Sequence, residues 1–306
     1  MKTVTGVTGT KGHENHCRDW ASDHPKRIVV FGGSGFLGTS LISRLIKQGN
    51  TNILAVARNE GGLVALKEKY PCVEIQVGDI ANRWTVKKAM KDADEIQLLS
   101  ALKHVGIADR DVMSCISTNI HGVENVIMES LNTKPKLLMF ISTDKAGQPL
   151  GVYGCTKKIG ERLMAEAETI NPDTKYRCVR YGNVAFSTGS ILCKWRDKMR
   201  NGEEVILTHP EASRFFWTID EAVDLIFECM DKATSSTPYI PKMKGVTMQL
   251  VLAACMKVFG TCPVKVIGLQ PGENMVETTD GVTFSNEVEQ FTEDEFINKF
   301  LLNGKD

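Results

Sequence analysis

From Arg27 onward, short apolar runs alternate with longer stretches that carry apolar residues at helical spacing. The runs are Ile28–Phe31, Ile53–Ala57, Val73–Val77, Glu95–Leu99 and Leu137–Ile141. Each has strand rather than helix length. Between them lie Gly35–Gln48, Gly62–Lys69, Thr85–Lys91, Asp111–Leu131 and Tyr153–Thr169, which read as helices. Strands buried on both faces and separated by helices predict an α/β protein with a doubly wound parallel sheet. Tyr176–Tyr181 adds a sixth strand candidate. After Gly182 the pattern breaks at Gly189, Gly202, Pro210, Pro238, Pro241 and Pro271. The expected organisation is therefore a first domain over 26–182 and a smaller, interleaved substrate-binding region over 183–306. One helix of the latter, Ile219–Asp231, is expected to pack back on the first domain. The polar residues 1–25 are expected to be a flexible tail.

The first strand candidate runs straight into Gly32-Gly33-Ser34-Gly35-Phe36-Leu37-Gly38, and a helix pattern follows at Leu37, Leu41, Ile42 and Leu45. Gly32 suits a tight turn, Gly35 lets backbone approach a pyrophosphate, and Gly38 lets helix pack on strand. A helix N-terminus there offers unpaired N–H groups to phosphates. This strand–loop–helix context predicts a Rossmann-type fold that binds a nicotinamide dinucleotide. The second strand ends at Arg58, where NAD-preferring sites carry an acid; the guanidinium suits a 2′-phosphate, so NADP is expected over NAD.

Tyr153 and Lys157 are four residues apart and share a helix face. Tyr153 as phenolate can take a hydroxyl proton as hydride leaves the carbinol carbon. Lys157 can favour the phenolate by its charge. Thr143, Asp144 and Lys145 close the fifth strand. An acid and a base beside the tyrosine imply a second bond change, such as loss of water or inversion at a neighbouring carbon. A charged strand end facing solvent explains the same residues without chemistry.

Composition narrows the partners. The chain has 306 residues, 37 of them basic and 37 acidic, so no basic excess points to nucleic acid. No stretch of about 18 apolar residues suggests a membrane span. The 9 cysteines form no C-x-x-C pair, and several sit in apolar runs, which points to reduced thiols and a cytoplasmic location. His13, His16 and Cys17 lie close together, but no fourth ligand is evident and no metal is expected.

Six segments occur in order: Ser100-Ala101-Leu102-Lys103-His104-Val105, Thr118-Asn119, Ser142-Thr143-Asp144-Lys145-Ala146, Tyr153-Gly154-Cys155-Thr156-Lys157, Arg180-Tyr181-Gly182-Asn183-Val184 and Pro271-Gly272-Glu273. Together they resemble the polysaccharide-biosynthesis branch of the extended short-chain dehydrogenase/reductase superfamily. Its members include inverting UDP-N-acetylglucosamine 4,6-dehydratases and UDP-sugar epimerases. The likeness runs from about Arg27 to Glu277. It implies a nucleotide-sugar 4,6-dehydratase with a resident NADP and a UDP-sugar substrate. Tyr153 would deprotonate the 4-hydroxyl, Lys145 would remove the C5 proton, and Asp144 would protonate the departing 6-hydroxyl. Thr143 would bond near the 4-oxygen. Asp79, Ile80, Ala101 and Lys103 would join the glycine loop, Tyr153 and Lys157 around the cofactor. Lys103, His104, Asn183, Arg214 and Glu273 would meet the substrate. A homo-oligomer is expected by the same analogy. The family's G-x-R-P-G-E-K segment reads Gly268-Leu269-Gln270-Pro271-Gly272-Glu273-Asn274, so a charged phosphate contact is missing at Gln270. Phe216-Trp217 also departs from the usual Trp-Ile. An epimerase that keeps the 6-hydroxyl, a non-catalytic NADP(H)-binding protein and a plain alcohol reductase are the other readings.

Overall fold

A computed structural model describes residues 25–302. His13, His16 and Cys17 lie outside the described residues. In the first part of the chain, strands and helices alternate: β1 Ile28–Phe31, α1 Phe36–Lys47, β2 Ile53–Ala57, α2 Glu60–Lys69, β3 Glu74–Val77, α3 Arg83–Met90 and β4 Glu95–Leu98. Then come α4 Val105–Ala108, α5 Val112–Ile116, α6 Gly122–Thr133, β5 Leu137–Ile141, α7 Val152–Ile170 and β6 Lys175–Val179. The six strands are all parallel, in the order β3-β2-β1-β4-β5-β6. Reversal of strand order on either side of β1 opens a crevice at the strand C-termini, where such sheets take ligands. The doubly wound parallel sheet expected from the pattern is therefore present.

Its two faces carry separate cores. Val29, Phe31, Ile96, Leu98 and Phe140 pack against α3, α6 and α7. Ile28, Val30, Met139, Ile141 and Val179 point the other way, against α1 and a helix from much later in the chain. That helix is part of the second region, which contains β7 Asn183–Val184, α8 Ile191–Arg200, β8 Val205–Leu207, β9 Ser213–Trp217, α9 Ile219–Lys232, β10 Gly245–Thr247, α10 Met248–Phe259, β11 Val264–Val266 and α11 Glu293–Phe296. α9 starts with a capping box, Thr218 with Glu221, and buries Ala222, Val223, Leu225, Ile226 and Cys229 against the sheet. The remaining pieces form a three-stranded sheet, β10-β9-β7, and a parallel pair, β11-β8, over a third core. Trp195, Phe216, Phe296 and Phe300 lie there, with Phe216 edge-on to Phe296 at 5.5 Å.

Asp111–Leu131, expected as one helix, is interrupted by a wide π turn at Ser117–His121 between α5 and α6. The turn faces Asn119 inward, where its amide accepts from Leu102 N at 2.8 Å and donates to Leu102 O at 2.9 Å. It also donates to Thr156 Oγ1 at 3.1 Å. The extra residue thus pins the chain after β4 to α7, a use for which π turns recur at functional sites.

Candidate active site

A cleft of about 1040 Å³ runs along the strand C-termini, from the glycine loop to the second region. One end is the turn after β1. Gly32 has φ +88, and a Cβ there would come within 2.9 Å of Ser100 N, so only glycine fits. A Cβ on Gly38 would come within 2.8 Å of Gly33 Cα, so the missing side chain seats α1 against the turn. Gly35 is the N-cap residue of α1 and lines the cleft with Ser34, Phe36, Leu37 and Gly38. No side chain caps this helix end. Its first N–H groups have no intrahelical acceptor and remain for a ligand. The bare turn and uncapped helix fit the pyrophosphate of a dinucleotide. Arg58, Asp79 and Ile80 line the same end, and Arg58 Nη1 lies 3.5 Å from Asp79 Oδ2. Ala101, Lys103 and His104 follow after β4.

At the middle of the cleft, α7 presents Tyr153 and Lys157. Lys157 is 3% exposed; its Nζ donates to Ile141 O at 2.7 Å and lies 4.6 Å from the Phe140 ring centroid. Burial pushes its ammonium down to about 8, against the pull of Cys178 and Glu161. Burial also pushes the Tyr153 phenol up to about 12, with Lys145 as the main charge drawing it down and Asp144 opposing. In this structure the cation that most favours the phenolate is therefore Lys145. Beneath α7, Glu161 Oε1 accepts from Ser142 Oγ at 2.6 Å and from Arg180 Nε at 2.6 Å. This buried pair ties the ends of β5 and β6 to the helix that carries the tyrosine.

The turn after β5 holds the remaining pair. Thr143 Oγ1 donates to Asp144 Oδ1 at 2.7 Å, and Lys145 Nζ donates to the same oxygen at 3.1 Å. Lys145 and Thr143 line the cleft, whereas Asp144 is 1% exposed and does not. Asp144 Oδ2 is buried without a partner. Lys145 Nζ also lies 3.5 Å from Asn183 Oδ1 and 3.3 Å from Glu277 Oε1. Burial disfavours its charge, but the Asp144 and Glu277 carboxylates more than compensate and hold the ammonium above the ordinary lysine range.

The far end is cationic. Lys103, Lys194 and Arg214 line it with Asn183 and Glu273. Burial lowers the Lys103 ammonium, and burial with Lys103 and Lys194 lowers the His104 imidazolium. Glu273 Oε2 turns back to accept from Gln270 N at 3.1 Å. Gln270 itself donates to Gly268 O at 3.1 Å and is absent from the cleft wall. Of the catalytic, cofactor-binding and substrate-binding candidates from the sequence, all but Asp144 line this surface. Lys194 and Glu277 were not singled out. Glu277 sits four residues past Glu273, in a segment with no periodicity to mark it. Among the described residues, no cluster of three or more His, Cys, Asp or Glu could hold a metal, and no helix is long and apolar enough to cross a membrane.

Comparison with known proteins agrees with this architecture. A Methanocaldococcus jannaschii protein described as an uncharacterised membrane protein is 32% identical, covering 82% of this chain and 79% of its own. The inverting UDP-N-acetylglucosamine 4,6-dehydratase of Campylobacter jejuni is 31% identical, over 82% of this chain and 76% of the enzyme. The UDP-glucose 4-epimerase of Rickettsia akari is 28% identical, over 83% and 77%. Among solved structures, Pen from Bacillus thuringiensis superposes with a TM-score of 0.85 at 25% identity, over 91% of this chain and 97% of that one. The model of the family described as polysaccharide biosynthesis protein matches residues 28–297. With nearly all of the described residues inside that match, this protein belongs to the polysaccharide biosynthesis protein family.

Proposed function

We propose that the protein is a nucleotide-sugar 4,6-dehydratase acting on UDP-N-acetylglucosamine with inversion at C5, with NADP bound at the glycine loop. The observation that carries the reading is the contact of Lys145 Nζ, which shares the cleft with Tyr153, with Asp144 Oδ1 at 3.1 Å. An oxidation needs only Tyr153 and Lys157; a lysine–carboxylate pair beside them supplies a second proton exchange. NADP, which the glycine loop and Arg58 would hold, would supply a hydride acceptor for C4 and a hydride donor for C6. Arg58 favours NADP over NAD through a 2′-phosphate.

Tyr153 takes the 4-hydroxyl proton, with Thr143 beside it. The resulting 4-ketone acidifies the C5 proton. A proton passing from Lys145 to Asp144 turns the ion pair into a free amine and a neutral acid. The amine then takes the C5 proton, and the acid gives its proton to the departing 6-hydroxyl, which leaves as water. The ion pair is thereby restored; as hydride returns to C6, C5 takes a proton from solvent on its other face, and Tyr153 gives the 4-hydroxyl proton back to solvent. The buried, unpartnered Asp144 Oδ2 is the oxygen that can carry that proton. Lys103, Lys194 and Arg214 offer charge to the diphosphate in place of the arginine missing at Gln270. Exposed Val112, Met113 and Met128 on α5 and α6 support a homo-oligomer.

A second reading, a UDP-sugar epimerase, is favoured by two observations. Asp144 is shut away from the cleft, and Lys145 is held as an ammonium. An epimerase needs no C5 base. Incubation with UDP-N-acetylglucosamine, with the product read by mass spectrometry and NMR, tests the choice. Loss of water and a 4-keto-6-deoxy sugar are expected. A product that keeps the 6-hydroxyl would replace the first reading by the second.

A further inference from the structure

Resting on that reading, we propose that Glu277 is a positioning residue of the reaction, the oxygen that fixes the Lys145 ammonium in the cleft and ties it to Arg214. Glu277 is 1% exposed yet lines the cleft. Its Oε1 lies 3.3 Å from Lys145 Nζ and 3.8 Å from Arg214 Nε, while its Oε2 accepts from Asn274 Nδ2 at 3.0 Å. A carboxylate so buried is costly unless paired on every side, and here each oxygen has a polar partner.

The backbone is held as firmly as the side chain. Ser213 N donates to Met275 O at 2.8 Å, which registers the segment against β9 and brings Glu277 beside Arg214. Glu277 N donates to Ser285 Oγ at 3.0 Å, and Ser285 N donates back to Glu277 O at 2.8 Å. A Cβ on Gly147 would come within 2.9 Å of Thr278 C, so the segment lies directly on the turn that carries Asp144 and Lys145. Arg180, already paired with Glu161 under α7, donates to Thr279 O. The segment is thus a fixed brace across the two halves of the cleft, and Glu277 is its one carboxylate aimed at the reacting lysine.

The charged and titratable groups facing Lys145 are Asp144 on its own turn, Tyr153 on α7, Arg214 on β9 and Glu277 on the brace. Asp144 is needed as the proton's destination. Glu277 keeps the nitrogen in place through its 3.3 Å contact, whether the proton is on it or away. It also sets how readily Lys145 gives its proton up, because a carboxylate at this distance favours the charged amine.

The test reads Lys145 without requiring turnover. Full-length wild-type protein, Glu277→Gln and Glu277→Asp are labelled briefly with acetic anhydride from pH 6 to 11, and Lys145 acylation is followed by mass spectrometry of its peptide. Only the free amine reacts. Glu277→Gln is expected to move the Lys145 labelling curve at least one pH unit toward acid, a roughly tenfold faster reaction at a given pH. Glu277→Asp is expected to fall between. Labelling of an exposed lysine such as Lys88 should not change. Identical Lys145 curves in all three proteins would overturn the proposal. If Glu277→Gln does not accumulate folded, Glu277→Asp, which draws the carboxylate back by one methylene, must still move the curve toward acid, and no shift overturns the proposal equally. With substrate, the pH limb of C5 proton exchange should move with the labelling curve. A labelling shift with no turnover on any UDP-sugar would remove the dehydratase and leave Glu277 in its role.

Discussion

Replacing Gly38 by alanine sets two effects of opposite sign against each other. Alanine in a helix is favoured over glycine by about 1 kcal/mol. The added methyl, however, would stand 2.8 Å from Gly33 Cα and 2.9 Å from Gly33 C, and it would overlap Gly32 O. All three are backbone atoms of the turn that β1 enters, so no rotamer change can relieve the overlap. Carbon–carbon contact at ordinary distance requires α1 to retreat by roughly half an ångström or more, in a region packed to crystal density. Overpacking of this kind costs up to about 3 kcal/mol, which leaves a net loss of about 2 kcal/mol. A thermal midpoint lower by about 3 °C follows for a chain of 306 residues. The retreat also carries the helix's free N–H groups away from the phosphates, and NADP should bind at least about tenfold more weakly. Differential scanning calorimetry and isothermal titration with NADP and NAD measure the two effects. A Gly38→Ala protein with the wild-type midpoint and unchanged affinity would refute the reasoning that the missing Cβ seats the helix.

Three further substitutions probe other parts of the site. Lys157→Met should stabilise the cofactor-free protein at pH 7 by about 1–3 kcal/mol while abolishing turnover, because burial holds Lys157 near 8 against its ordinary 10.5. That penalty is full below pH 8 and disappears as pH rises to 10.5, so the gain should vanish over that window; urea melts at pH 7 and pH 10.5 with equal gains would contradict it. Glu161→Gln should cost about 3–5 kcal/mol by stranding the buried Arg180, and Glu161→Gln with Arg180→Met should recover much of the loss, as a double-mutant cycle in urea would report. Arg58→Ala should weaken NADP roughly tenfold to a hundredfold and leave NAD nearly unchanged; equal losses for both would remove Arg58 as the 2′-phosphate contact.

The sheet was legible because β1, β2 and β5 are unbroken apolar runs and β3 and β4 alternate apolar with polar residues, and five of the six observed strands begin or end within a residue of the expected runs. The sixth stops at Val179 rather than Tyr181, since Tyr181 O leaves the ladder to accept from Asp144 N. The π turn at Ser117–His121 had no mark in the pattern, because one inserted residue barely disturbs a helical period. The strands of the second region are two to five residues long, too short to show alternation. In the site, motif residues on the first domain were legible from their spacing after strand ends. Asp144 was singled out with them, yet its burial was not legible, because that depends on contacts such as those from Thr143 Oγ1 and Lys145 Nζ. Glu277 was not legible at all: its meaning comes from a contact with a residue 132 positions earlier, through 277 − 145.

The return of α9 to the first sheet bears on how the chain is made. Ala222, Val223, Ile226 and Cys229 cover the face formed by Ile28, Val30, Met139, Ile141 and Val179. A ribosome that has delivered only the first six strands has therefore released a sheet with one side partly bare. That side stays wet, and sticky toward other nascent chains, until some fifty more residues have emerged. Completion of the first layer waits on the second region, so the two halves are timed together during synthesis. A fragment ending at Gly182 should depend on chaperones for the cover that α9 supplies in the whole chain.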